Sequence, residues 1–109
     1  MTLPFDPPPP AAVSVSDLTA ELRNVVETAF PAVVVEGEVS NCRAWSSGHI
    51  YFTLKDDHAQ IRAVVFRMTA RTLRFRLEDG QHVVVRGRIG LYDVKGEYQI
   101  ICDAVAPFG

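Results

Sequence analysis

Aromatic rings and cationic side chains alternate along the middle of this sequence. From Ser47 to Lys55 the rings and polar groups recur at every second position, as they do on one face of a β-strand. Rings of this kind stack on exposed bases, and guanidinium or ammonium groups contact phosphates. We therefore predict a nucleic-acid-binding surface made of Asn41, Arg43, Trp45, Ser47, His49, Tyr51, Lys55, Arg62, Phe66, Arg67, Arg86, Arg88, Tyr92 and Lys95.

Tyr51 has one predicted role, whereas Trp45 and His49 each allow a structural role as well as a binding role. Tyr51 is predicted to be a stacking platform, with Arg62 beside it as a phosphate contact. Trp45 either clamps the strand from the loop after the first strand or closes one end of the barrel as a core residue. His49 either faces the binding surface or serves as a structural hydrogen-bond partner.

The cations outside the central strands also allow two interpretations. Arg86 and Arg88 are predicted to share one strand face, either in the binding groove or on a solvated surface where they pair with acids such as Glu36 or Glu38. The remaining arginines, which belong to a predicted helix, fit a solvated helix face as well as they fit phosphate contacts: Arg67, Arg71 and Arg74.

The charge of the chain is unevenly distributed. The formal net charge is −2, which argues mildly against a nucleic-acid partner. From Arg43 to Arg76, however, seven basic residues stand against the two acids Asp56 and Asp57. A local basic surface is therefore compatible with the sequence, although a mixed-charge solvated surface is the alternative.

No set of residues in the sequence has the spacing of a catalytic or metal site. Asp56 and Asp57 are adjacent in a predicted turn, and no further acid or histidine is spaced to complete a ligand set with them. Cys42 and Cys102 have no CxxC spacing and are predicted to be buried, reduced thiols. We expect no catalytic residue, no cofactor and no metal, and no nuclease activity in this chain alone.

The order of the predicted elements indicates a small β-barrel. A proline-rich tail is expected at 1–13, an amphipathic helix at 16–30 and a barrel over 32–106, within one domain at 14–107. A short helix, predicted over 68–77, separates strands three and four. Five strands with a helix between the third and fourth are typical of a mainly β OB-fold, in which Gly37, Gly87 and Gly90 mark bends.

Several runs of this sequence, taken in order, resemble the N-terminal domain of the large subunit of bacterial exonuclease VII. They are VEGEVSN at 35–41, SSGHIYFTLKD at 46–56, AQIRAVVFR at 59–67, LEDG at 77–80, VRGR at 85–88 and YQI at 98–100. The resemblance spans about residues 14 to 107 and includes the helix before the first strand.

The resemblance implies an OB-fold that binds single-stranded DNA, in an exodeoxyribonuclease whose catalytic and helical regions lie downstream of this domain. Small subunits would attach through the helical region, and the chain is expected to be an excised domain of a cytoplasmic bacterial protein. The residues themselves leave two rivals open: an OB-fold that binds a peptide or subunit, and a tRNA-binding module. No membrane partner is expected, because no stretch approaches the roughly 20 apolar residues that a span requires.

Overall fold

The structure, a computed structural model, describes residue 8, residues 11–92 and residues 95–109, with only the backbone of Tyr92. Most of the predicted proline-rich tail therefore lies outside the described residues. Within the described ranges, no helix has the length and apolar character needed to span a membrane.

Helix α1, Val15–Ala29, begins at a side-chain cap. The Ser14 hydroxyl accepts a hydrogen bond from the Asp17 N–H at 3.0 Å. The Asp17 carboxylate lies in the first turn, where its negative charge interacts favourably with the positive end of the helix dipole. Phe30 ends the helix one residue before Pro31, because proline disfavours helical backbone in the residue that precedes it.

The apolar stripe of α1 faces outward rather than toward the barrel. Leu18, Leu22 and Val25 are about half exposed or more, and no residue of this fully described helix is buried. The helix lies against β4 through its half-buried side, where the Ile89 N–H donates to the Phe30 carbonyl at 3.1 Å. The helical period was therefore correctly identified from the sequence, but it does not identify the side of the helix that packs on the barrel.

Five strands form a closed barrel, as the sequence predicts. They are β1 Val33–Ala44, β2 Ile50–Lys55, β3 Gln60–Val65, β4 His82–Tyr92 and β5 Glu97–Pro107, in the closed order β1-β2-β3-β5-β4. Neighbouring strands are antiparallel except β3 and β5, which run parallel. The OB-fold prediction is confirmed by this arrangement.

The predicted helix over 68–77 is wrong for most of its length. Helix α2 is a single turn, Arg67–Ala70, and the chain after it is irregular. Leu73, Phe75 and Leu77 instead pack against the barrel core at every second position. Leu73 and Leu77 are four residues apart, a spacing that suits a helix, but the apolar Phe75 between them fits an extended segment that covers the barrel end.

The barrel core follows the alternation predicted for the strands. Phe52 and Leu54 of β2 are buried, whereas Tyr51 and Lys55 are not. On β3, Ala63 and Val65 are buried, and Val64 between them is fully buried as well, which departs from strict alternation along a strand. Val64 pairs with Tyr51 on one side and Ile101 on the other, so neighbouring strands cover its outward face.

Gly87 lies where the backbone of β5 comes close to β4. A Cβ added at Gly87 would collide with the Ile101 carbonyl oxygen of β5, a backbone atom that cannot rotate away. A Cβ added at Gly90 on the same strand would meet only the end of the flexible Ile101 side chain, at 2.9 Å. The register between β4 and β5 shifts between Arg86 and Gly87, so this glycine lies at a bend of the barrel.

We predict that Gly87→Ala lowers the free energy of unfolding by about 1–3 kcal/mol, the usual range for overpacking. Gly90→Ala is the matched control, with an expected change of roughly 0.5 kcal/mol in either direction, since Ile101 can change rotamer. Urea denaturation followed by circular dichroism measures both variants. Equal stability of the two variants would contradict the proposed close approach.

Candidate nucleic-acid interface

A bulge in β1 turns two of the predicted binding residues toward the same side of the barrel. The β1–β2 register shifts between Ser40 and Arg43, and Asn41 has a φ of 52°, which asparagine tolerates better than most residues. The Cys42 N–H between them donates to Asp79 Oδ1 at 2.7 Å. A bulge of this kind redirects side chains locally, and both Asn41 and Arg43 line the groove described next.

A groove of about 810 Å³ runs across the outer face of β2 and β3. Eight of the predicted binding residues line this β2–β3 groove: Asn41, Arg43, Trp45, Ser47, Tyr51, Arg62, Phe66 and Lys95. The other lining residues are Phe52, Thr53, Ala63, Glu97, Tyr98 and Gln99. Its walls therefore come from β1, β2, β3 and the beginning of β5.

Exposed aromatic rings form one end of the β2–β3 groove. Trp45 is 61% exposed and contacts Tyr51 edge to face, with ring centroids 5.8 Å apart. The interpretation of Trp45 as a core residue at the barrel end is therefore wrong. The turn that carries Trp45 is closed by its N–H, which donates to the His49 carbonyl at 2.9 Å, and by Gly48 at a φ of 91°.

His49 contacts the backbone of Arg67 and the ring of Phe66, which lines the groove. Its Nδ1 accepts the Arg67 backbone N–H at 2.8 Å, so the neutral ring carries its proton on Nε2. The His49 ring also contacts Phe66 edge to face at 5.3 Å. His49 does not line the groove, and its contacts fit the structural role that the sequence left open.

The three cations of the groove have different surroundings. Arg62 Nε lies 3.5 Å from Glu97 Oε2, in an ion pair whose side chains are both more than half exposed. The Arg43 guanidinium donates to the Cys42 carbonyl at 3.3 Å. Lys95 lies in the exposed turn just before β5. Arg43 lies opposite Tyr51 on β1, and Arg62 lies on β3 opposite Thr53. Cations therefore stand on both strands next to Tyr51, which is the combination that a phosphate backbone with stacked bases requires.

The remaining predicted residues whose side chains the structure describes lie outside the β2–β3 groove. Lys55 pairs with Glu38 at 3.6 Å, and Arg67 lines a separate hollow with Arg71. Arg88 is exposed on β4, while the Tyr92 side chain lies outside the described residues.

Arg86 takes the surface pairing that the sequence offered as one alternative, but with a different acid. Its Nε lies 2.7 Å from Asp103 Oδ1. The acids named for it from the sequence pair elsewhere: Glu36 with His82 at 3.2 Å and Glu38 with Lys55.

Among the groove residues that are absent from the predicted set, three lie at the start of β5: Glu97, Tyr98 and Gln99. The sequence predicts that residues of β4 form the other side of the groove. In the structure β5 lies directly beside β3 instead, with Gln99 opposite Arg62. Tyr98 is 58% exposed at the groove. The available signal was topological, since closing five strands into this barrel requires β3 to pair with β5.

Asp56 acts as a turn residue. Its Oδ1 accepts the N–H groups of His58 and Ala59 at 2.8 and 2.9 Å, and these bonds hold the pKa of the carboxyl below its ordinary value. In the part of the chain that the structure describes, no three His, Cys, Asp or Glu side chains are grouped as metal ligands would be.

Comparison with protein families identifies the fold family. The model of a family described as OB-fold nucleic acid binding domain matches residues 13–106. The chain belongs to this family. A chain of the S. pombe Stn1-ten1 complex has a TM-score of 0.58 to this OB-fold domain at 17% identity, over 71% of this chain and 57% of that one, a likeness that shows the fold alone.

Curated relatives of the OB-fold domain confirm the resemblance inferred from the sequence. The OB-fold domain is similar to proteins named exodeoxyribonuclease 7 large subunit. It is 52% identical over 97 residues to the protein of Geobacter sulfurreducens, 50% to that of Pseudomonas aeruginosa and 46% to that of Sulfurimonas denitrificans. Each match covers 89% of this chain but only 21–23% of the relative. The OB-fold domain thus spans about a fifth of the length of these proteins.

The pKa of the Cys42 thiol depends on charged residues at the β1 bulge beside the groove. Partial burial raises the pKa of its thiol, the negative charge of Asp79 raises it further, and Arg43 opposes this effect. The buried Cys102 is an internal reference, because desolvation raises its thiol pKa to about 12.

We predict that Asp79→Asn lowers the pKa of the Cys42 thiol, since it removes a negative charge while keeping an oxygen that can accept the Cys42 N–H. The measurement is the pH dependence of iodoacetamide alkylation, which should shift to lower pH at Cys42, with Cys102 unreactive in the folded domain. Asp57→Asn is the control variant and should leave the profile in place. An equal rate increase at every pH would instead indicate that the thiol had become exposed.

Proposed function

We propose that the β2–β3 groove binds single-stranded DNA without strong sequence preference. One observation carries this proposal: Trp45, Tyr51, Phe66 and Tyr98 are exposed around a single groove that also contains Arg43, Arg62 and Lys95. Ring faces accept any base, and cations follow the backbone, so the combination favours a single strand over a paired one.

The magnitude of stacking supports weak, sequence-tolerant binding. Each base stacked on an aromatic ring contributes about 1–3 kcal/mol, so two platforms account for measurable affinity. Tyr51 and Tyr98 stand on different walls of the groove, where they could contact different bases of one strand. The net charge of −2 does not oppose this, because within the described lining residues three cations stand against the single acid Glu97.

The eight predicted residues that line the groove are proposed as direct contacts, together with Tyr98 and Gln99. Arg67 and His49 are proposed to support them, since His49 holds both Phe66 and the start of α2. Lys55, Arg86, Arg88 and Tyr92 are proposed as peripheral contacts of a longer strand.

The relatives suggest the setting of this activity. We propose that residues 14–107 serve as the DNA-binding domain of an exodeoxyribonuclease large subunit, which holds a single strand near a nuclease domain carried elsewhere in that protein. Binding of this kind raises the local concentration of the strand at the active site. Small subunits are proposed to bind the large subunit outside this domain.

Tyr51→Ala is predicted to weaken binding of a fluorescein-labelled oligo-dT by about five- to 100-fold, the loss of one stacked base. Tyr51→Phe keeps the ring and should bind like the wild type. Arg76→Ala removes an exposed cation paired with Glu78 outside the groove, and it should bind almost as well as the wild type. Fluorescence anisotropy at two salt concentrations measures all four proteins.

Competitors distinguish the rival functions in the same experiment. Duplex DNA of equal length should compete poorly, and affinity should fall steeply with salt, because phosphate contacts release counterions. Stronger competition by a folded tRNA than by oligo-dT would favour the tRNA module. Absence of oligo-dT binding even at low salt would contradict the proposal and favour a peptide groove.

A further inference from the structure

The β2–β3 groove contains one carboxylate among its described lining residues, and that carboxylate is paired with a cation of the same groove. Glu97 Oε2 lies 3.5 Å from Arg62 Nε. Arg62 stands on the strand face that carries Tyr51, next to Thr53 on β2 and Gln99 on β5. A strand that crosses this face and stacks on Tyr51 therefore passes over the Arg62–Glu97 pair.

We propose that Glu97 competes with the DNA phosphate for Arg62 and so limits the affinity of the groove for single strands. This inference rests on the proposed function. In the free domain the carboxylate occupies the place on the guanidinium that a phosphate oxygen would take. Binding must then displace Glu97, and release of the strand restores the ion pair.

The exposure of the pair fits a displaceable contact. The Arg62 and Glu97 side chains are 67% and 51% exposed, so water can solvate Glu97 once it leaves the guanidinium. Exposed pairs of this kind are weak, which means that a phosphate can replace the carboxylate without a large penalty. A buried pair would instead hold Arg62 away from any ligand.

The competition has a distinctive effect on salt dependence. Displacing Glu97 frees a carboxylate beside the phosphates, and the cation that this carboxylate attracts offsets part of the counterion release at the Arg62–phosphate contact. Each phosphate contacted by a free cation adds about 0.7 to the slope of log affinity against log salt for single strands. Removing the carboxylate removes this offset, so the measured slope should steepen by about the value of one such contact.

The test is Glu97→Gln in the oligo-dT anisotropy assay. The expected result is an affinity about two- to fivefold above the wild type at low salt, the range of one exposed ion pair, and a salt slope steeper by about 0.7. Glu78→Gln is the matched control, because it removes the same charge from an exposed Arg–Glu pair at 3.4 Å outside the groove. Its slope should equal that of the wild type.

A double-mutant cycle tests whether Glu97 acts through Arg62. Arg62→Ala should reduce affinity more in the Glu97→Gln background than in the wild type, because in the wild type the loss of the Glu97 pair offsets part of the Arg62–phosphate contact. Equal effects of Glu97→Gln and Glu78→Gln on affinity, with unchanged slopes, would overturn the inference while leaving the proposed function intact. Absence of oligo-dT binding by both the wild type and Glu97→Gln would overturn the proposed function itself.

Discussion

The parallel pairing of β3 with β5 is the contact on which the groove depends. Ala63 lies opposite Ile100, and both side chains are buried in the barrel core. A slip of one residue would turn Ile100 out of the core, so burial fixes the register. The same register places Gln99 beside Arg62 and brings the first residues of β5 to the groove. Core packing therefore decides which polar side chains meet on the outer surface.

The opposite wall of the groove depends on a connection to the end of the barrel. The β1 bulge that directs Asn41 and Arg43 is held by Asp79, which lies in the turn before β4. Two residues earlier, Leu77 is buried in the core. The Cys42 thiol donates to the Leu77 carbonyl at 3.5 Å, so the segment is held to β1 at two points. The geometry of the groove wall is thus coupled to the packing of the segment that closes the barrel.

The sequence predicts single elements well and contacts between elements poorly, for physical reasons visible at particular residues. Alternation along β2 depends only on strand geometry, so the outward direction of Tyr51 was predictable. The burial of Val64 depends on its neighbours across both adjacent strands, which one strand does not reveal. The same limitation explains why Tyr98 was missed. The overextended helix after β3 has a different cause, since Leu73 and Leu77 fit both a helical and an extended period.

Net charge is a poor guide to this surface because many of its charges are paired. Arg86 with Asp103, Lys55 with Glu38 and Arg76 with Glu78 each place opposite charges together outside the groove. Such pairs cancel in the field that a distant polyanion experiences, beyond a Debye length of about 8 Å at physiological salt. A strand in the groove instead experiences the few charges that line it. Arg62 belongs to both groups, since it lines the groove and is paired. Under the proposed competition, its availability to a phosphate depends on how readily Glu97 leaves the guanidinium.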